Sequence, residues 1–262
     1  MIQKALRTAQ HYLPGGRDRR EAISRSIQRL HGRPHEPDYA ALRHFPRGKL
    51  LLDVGCNYGQ SIGSMLLMQP EATIVSFEPN AELAAKVGKL FRADPRVTVR
   101  PYGLSDAAGV FDLFVPYYGN FAYPGLASVI EDTARSWLSS ETLFFFRSSN
   151  VHTRRISCRL ETLDSQNLEP YFIKIDVQGA EYSVLRGGQA TLSQSKPILL
   201  VETGGDQRIC SLLGGLGYSE YEFIRGKFIQ QQSKGVNSFF MTDAHRDELM
   251  SCNSDLFVTA KR

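Results

Sequence analysis

Seven consecutive residues, Asp53, Val54, Gly55, Cys56, Asn57, Tyr58 and Gly59, follow an apolar run and precede a helical pattern. Glycine at 55 and 59 permits a tight turn and lets the backbone approach a ligand that a side chain would obstruct. The helix that follows points its positive end at the same place. About 20 residues further on, the next apolar run ends in Glu78 and Pro79. A carboxylate there can accept hydrogen bonds from both ribose hydroxyls of a nucleoside. The bland alternative for Glu78 is a solvated residue at a helix start. A phosphate-binding loop would require Gly-Lys-Ser/Thr, and a dinucleotide fingerprint spaces its glycines as GxGxxG; this chain has GxxxG after an Asp. Asp53 suits a cationic or hydrogen-bond-donating ligand, such as a sulfonium amino acid, better than a pyrophosphate.

A second polar group stands at the ends of later apolar runs: Lys174 and Asp176, then Glu202 beside Gly204 and Gly205. Open parallel sheets place ligands at such strand ends. Lys174 lies two residues before Asp176 and so on the same strand face, where the two either serve the chemistry or form an ion pair that fixes the strand end. Glu181 follows in the next helix, as a cap of its first turn. Asp176 and Glu202 are oxygen ligands of the kind magnesium prefers, but no third ligand is evident and no metal is assigned. Ser105 and Asp106 would lie near the base of a bound nucleoside, unless Asp106 is only a turn residue leading to Gly109. His152 could act as a proton acceptor near neutral pH, or sit exposed on a loop.

Short apolar runs alternating with helical patterns position these groups, which predicts an α/β fold: a doubly wound, mostly parallel sheet. Strands are expected at Leu50 to Val54, Thr73 to Phe77, Val97 to Tyr102, Ile173 to Asp176 and Ile198 to Glu202. Helices are expected at Gln60 to Met68, Ala81 to Phe91 and Ala180 to Gly187. Tyr218 to Ile224 and Ser238 to Thr242 read as a closing antiparallel hairpin joined through Gly226 and Gly235. Between the third and fourth strands, an aromatic-rich insert from about Val110 to Asp164 exceeds what the alternation needs, and loops of that size are usually functional. Its Tyr117, Tyr118, Phe121, Tyr123 and Trp137 either form a platform for a sugar or flat acceptor, pack a lid, or make a dimer contact.

The chain has 262 residues, 42% hydrophobic and 22% charged, which is ordinary for a globular protein with a full core. No apolar run approaches the ~18 residues needed to span a bilayer, and Lys4, Arg7 and His11 interrupt the start, so the expected location is cytoplasmic. Cys56, Cys158, Cys210 and Cys252 show no CxxC spacing; they are expected to be reduced and mostly buried. Residues 1–48 read as a basic helical extension, with an amphipathic helix over 18–31 and a short helix from about Asp38 to His44, ahead of a core running from 49 to 262. Its Lys and Arg residues are either an anion-attracting surface or the solvated face of a helix.

The motifs Asp53 to Gly59, Phe77-Glu78-Pro79, Leu104-Ser105-Asp106, Glu161-Thr162-Leu163-Asp164 and, above all, Lys174 to Glu181 resemble those of FkbM-type S-adenosylmethionine-dependent methyltransferases. The similarity spans about residues 49 to 243. It departs at Gln178, where that family commonly has Glu, and at Thr203, where a histidine-bearing ending is often seen. The resemblance implies S-adenosyl-L-methionine as cofactor and methyl transfer to a hydroxyl, often on a sugar or natural product.

Such a transfer is an in-line displacement from an activated donor, so the protein chiefly positions the acceptor and removes its proton. Asp176 is the first candidate for that role, with Lys174, Glu202 and His152 behind it. The expected acceptor is a small molecule or glycan. RNA methylation, prompted by the basic leader, is disfavoured because no basic run there interleaves with aromatics. A non-enzymatic nucleoside-binding module is the third reading. A homodimer would form through the N-terminal helices or the aromatic insert.

Overall fold

The computed structural model describes Thr8, residues 31–230 and residues 236–259; the expected helix over 18–31 lies outside them, apart from His31. Thirteen strands are assigned within the described residues: β1 (Leu50–Val54), β2 (Thr73–Phe77), β3 (Val97–Arg100), β4 (Gly103–Leu104), β5 (Gly109–Tyr118), β6 (Phe121–Ala122), β7 (Val151–Glu161), β8 (Phe172–Ile175), β9 (Ile198–Glu202), β10 (Ser219–Ile224), β11 (Lys227–Gln230), β12 (Asn237–Met241) and β13 (Phe257–Thr259). They form a nine-stranded sheet, ordered β13-β11-β10-β12-β9-β8-β1-β2-β3, and a four-stranded sheet, ordered β4-β7-β5-β6.

The five strands from β3 to β9 run parallel. Their residues are apolar almost throughout because helices cover both faces. Leu51 of β1 enters one core with Ile62 and Met65 of the helix Gln60–Met68 and Val87 and Phe91 of the helix Ala81–Phe91. Leu52 and Val54 enter the other, with Val184 and Leu185 of Glu181–Arg186, Leu192 of Gln189–Gln194 and Leu213 of Gln207–Gly215. The expected doubly wound sheet is present. Tyr39, Ala41, Leu42 and Phe45 also join the first core, which ties the 3-10 turn Pro37–His44 to the sheet.

The end of the sheet is more elaborate than a single hairpin. β10 pairs antiparallel with β12, as expected, but β10 first turns tightly into β11, and β12 enters between β9 and β10. Arg225 and Gly226 both have positive φ, the geometry of a two-residue hairpin turn whose twist matches its strands. Two short strands at the edge, β11 and β13, carry little periodicity of their own. Cys56 and Cys158 are buried, whereas Cys210 is half-buried and Cys252 exposed, so only half of the cysteines match the expected burial.

The insert is largely the second sheet. β5 and β7 pair antiparallel over ten positions, from Gly109 opposite Leu160 to Tyr118 opposite Val151. Leu113, Val115 and Tyr117 therefore share a face with Ile156, Arg154 and His152. On the other face Tyr118 joins Tyr123, Leu138 and Leu143 in a small core.

Candidate functional site

The chain runs from β1 outward through β2 to β3, then returns to place β8 on the other side of β1. That reversal opens a crevice at the carboxyl ends of β1 and β8, the usual ligand position in such sheets. Asp53 and Lys174 are register partners across it. A cavity of about 680 Å³ lies at the opposite, amino-terminal end beside Lys49, Leu50 and Tyr171. The fold places ligands at the other end.

Asp53 is fully enclosed. Its Oδ2 accepts hydrogen bonds from Ser61 Oγ at 2.5 Å and Ser76 Oγ at 3.0 Å, and its Oδ1 lies 3.7 Å from Lys174 Nζ. It fastens the turn from beneath and does not line the cavity beside Glu78. The turn's own packing also requires the two glycines. A Cβ on Gly55, φ 89°, would stand 2.0 Å from the Asp176 carbonyl oxygen, and one on Gly59, φ 78°, would stand 2.8 Å from the Phe91 ring.

Glu78 is buried at the end of β2. Its two oxygens accept from the backbone amides of Asn57 and Asn80, each at 3.0 Å. Burial raises its carboxyl to about 7 despite those amides. Four acceptor positions on a carboxylate leave room for further donors. Asn57 Oδ1, in the same lining, is buried without a hydrogen-bond partner. Gly55, Asn57, Glu78 and Pro79 share a cavity of about 100 Å³ with Asp176 and Gln178, roofed by Leu113 and the insert segment Pro124 to Ala127.

Lys174 Nζ lies 3.2 Å from Asp176 Oδ2 and donates to the Gly55 carbonyl at 3.2 Å. Burial alone would lower the Lys174 pKa, but the charges around it, Asp176 foremost, hold it well above the ordinary value. Gln178 Nε2 donates to Asp176 Oδ1 at 2.9 Å and to Glu202 Oε2 at 3.1 Å. Burial pushes Asp176 upward, yet the Lys174 charge and the hydrogen bonds from Glu202 and Gln178 bring it to about 2. Burial, followed by the hydrogen bond and charge of Asp176, lifts Glu202 to about 8.

Glu181 is buried and reaches back to the Val177 amide at 2.9 Å and the Gly179 amide at 3.0 Å. It organises the loop before its helix, whose first turn has no side-chain cap, in place of the expected capping role. Tyr58 lies beyond the turn, in a neighbouring cavity of about 410 Å³. Ser105 donates its amide to Glu161, and the exposed Asp106 sits 3.6 Å from Arg186 Nη1. Neither lines the Glu78 cavity. His152 is exposed on β7 and stacks on Tyr117 at 5.1 Å. The roof residues Leu113 and Pro124 to Ala127 were not singled out from sequence, although the Pro124-Gly125 pair is a turn signal. Gln178 appeared only as a departure from a motif.

Residues 53–249 match the family model described as Methyltransferase FkbM domain. The chain is 30% identical over 151 residues to 2-O-methyltransferase NoeI of Sinorhizobium fredii, covering 56% of this chain and 60% of that protein. It is 32% identical over 178 residues to AMB antimetabolite synthetase AmbE of Pseudomonas aeruginosa, covering 59% of this chain and 8% of that protein. The chain thus spans less than two thirds of either relative. Among solved structures, Methyltransferase FkbM from Methylobacillus flagellatus KT aligns with a TM-score of 0.49 and 15% identity, covering 78% of this chain and 48% of that one. Among the described residues, no helix is long and apolar enough to cross a membrane.

Proposed function

Because the chain belongs to the FkbM methyltransferase family, we propose that it methylates a hydroxyl of a sugar, glycan or glycosylated metabolite with S-adenosylmethionine as donor. The observation that carries this reading is one cleft at the carboxyl ends of β1, β2 and β8, in which Glu78, the Asn57 amide oxygen and Asp176 converge beneath the insert. The 2-O-methyltransferase name of one relative supports oxygen as the acceptor atom.

The residues fit the cofactor in chemistry. Glu78 would take the ribose hydroxyls on its remaining acceptor positions, and the orphaned Asn57 Oδ1 would meet a donor. When bound, the cofactor supplies a methyl group already activated on a sulfonium. The cavity of about 100 Å³ is below the several hundred Å³ typical of small-molecule sites, so it would enclose only part of the cofactor.

On the acceptor side, Asp176 and Glu202 have separate duties. Asp176, tied to Lys174 and Gln178, is a weak base that fixes the strand end and accepts the proton shared with Glu202. Glu202 titrates near the pH at which a proton acceptor is most useful. It is therefore the group that takes up the hydroxyl proton, in place of Asp176; His152 does not line the cavity that Glu78 and Asp176 share and is left outside the step. Calorimetric titration with S-adenosylmethionine and its demethylated product, followed by transfer of labelled methyl to a panel of free sugars and glycosides, tests the proposal. Cofactor binding without transfer to any hydroxyl, together with labelling of RNA, would overturn it.

A further inference from the structure

We propose that the cavity of about 410 Å³ between the start of the helix Ala81–Phe91 and the inner face of β5 and β7 is the acceptor's docking site, and that it selects a pyranose carrying an anionic group. The proposal rests on the methyltransferase reading and adds the acceptor's chemical class. The cavity is of ordinary small-molecule size. Pro124 belongs both to its lining and to the roof over Glu78 and Asp176, so the two spaces adjoin.

Its walls offer flat apolar faces held in place. Tyr117 stacks on His152 with ring planes 20° apart, and Phe121 is braced by Tyr123 at 4.9 Å in an edge contact. Rigid aromatic faces suit the C–H face of a sugar ring at little cost in side-chain order. Of the five aromatic residues singled out in the insert, Tyr117 and Phe121 line this cavity, while Tyr118 and Tyr123 are buried in the insert's own core.

Two cations complete the lining, Lys86 and Arg154, against one carboxylate, Glu82. Among the described residues neither cation has an ion pair. The contrast along β7 is informative. Arg155, one residue on and facing the other way, pairs with Asp112 at 2.8 Å, and Arg159 pairs with Glu161 at 2.5 Å. Arg154 instead projects beside Val115 into the cavity, opposite the helix start at Asn80, whose dipole adds partial positive charge. A carboxylate or phosphate matches this combination, and a guanidinium binds either through paired N–H donors.

The test uses the full chain with saturating S-adenosylhomocysteine. It is titrated by calorimetry or NMR with methyl α-D-glucopyranoside, D-glucuronate and D-glucose 6-phosphate. Both acids are expected to bind on the order of tenfold more tightly than the neutral glycoside. Their order separates a carboxylate from a phosphate ligand. The double variant K86A/R154A should reduce the acids to the level of the neutral glycoside and leave S-adenosylhomocysteine affinity unchanged; both changes are on exposed side chains. Equal binding of the three sugars, no binding of either acid, or an undiminished preference in the double variant overturns the proposal. Weaker S-adenosylhomocysteine binding by that variant also overturns it, by assigning the cavity to the cofactor. Failure of the unaltered protein to bind S-adenosylhomocysteine would count against the methyltransferase reading, while the sugar titrations without it still decide the pocket.

Discussion

The side-chain carboxyls of Asp176 and Glu202 lie within 4.8 Å of one another and share the amide of Gln178, with the Lys174 ammonium against Asp176 alone. Two carboxylates this close cannot both ionise cheaply, and the asymmetric placement of lysine decides which does. Asp176 keeps the negative charge and Glu202 keeps the proton, so the pair titrates as a unit with well-separated values.

That separation predicts the pH dependence of turnover. If Glu202 takes the acceptor proton, the rate should rise as pH increases through about 8 and level above it, because the ionised form appears there. Were Asp176 the base, the profile would be flat over that range, since its carboxyl is already ionised above about 2. Glu202→Gln should remove the inflection and lower turnover by about 10² to 10⁴. Stability moves oppositely: a folded pKa raised from 4.5 favours the native state fully below 4.5, and that contribution is lost as pH rises through about 8. Melting temperature and single-turnover rate across one pH series check both signs.

The scaffold of this arrangement was legible in sequence because its signals are local. Strands β1, β2, β8 and β9 announce themselves as continuous apolar runs ending in polar residues, and Glu78, Lys174, Asp176 and Glu202 stand at those ends. What the Gly55 position excludes was hidden, because the obstructing atom is the Asp176 carbonyl, far away in sequence. The roof was hidden for the same reason: Leu113 and Pro124 gain their significance only when β5 pairs with β7 and the small sheet folds over the cleft. The division of labour between Asp176 and Glu202 depends on the distances to one lysine and one glutamine, which spacing along the chain does not encode.

Asp176→Asn should reveal itself first in stability. It removes the nearest counter-charge from a buried ammonium, although Asp53 remains 3.7 Å away and Asp176 is partly exposed. Losing one partner of a fully buried pair costs about 3–5 kcal/mol, and the remaining aspartate should reduce this to about 2 kcal/mol. Chemical denaturation measures it. A variant of unchanged stability whose turnover nonetheless collapses would return Asp176 to the role of base.

Glu78→Ala should weaken S-adenosylmethionine binding by about 1.5 to 3 kcal/mol, the usual loss for hydrogen bonds to a charged group. The Asn57 and Asn80 amides, which now donate to the carboxylate, would also be left without their acceptor. Calorimetry on protein with an unchanged melting profile supplies the answer. Undiminished affinity there would remove Glu78 from the cofactor site.

Activity should survive removal of divalent cations, even though the fold gathers three carboxylates, Asp176, Glu181 and Glu202, within 4.8 Å. Oxygen donors in that number suit magnesium in principle. Each, however, is already engaged: Glu181 by the amides of Val177 and Gly179, Asp176 by Lys174 and Gln178, Glu202 by Gln178 and by the proton that its raised pKa retains. A cation here would face the Lys174 ammonium 3.2 Å from Asp176 and would have to displace a proton and the loop amides together. Turnover in EDTA should therefore stay close to that of the untreated protein, and added magnesium should not raise it. Loss of turnover in EDTA with recovery on adding magnesium would make these carboxylates ligands and Lys174 their competitor. It would also shift the inflection assigned to Glu202 downward, since a bound cation expels the proton, so the pH profile with and without magnesium decides between the two arrangements.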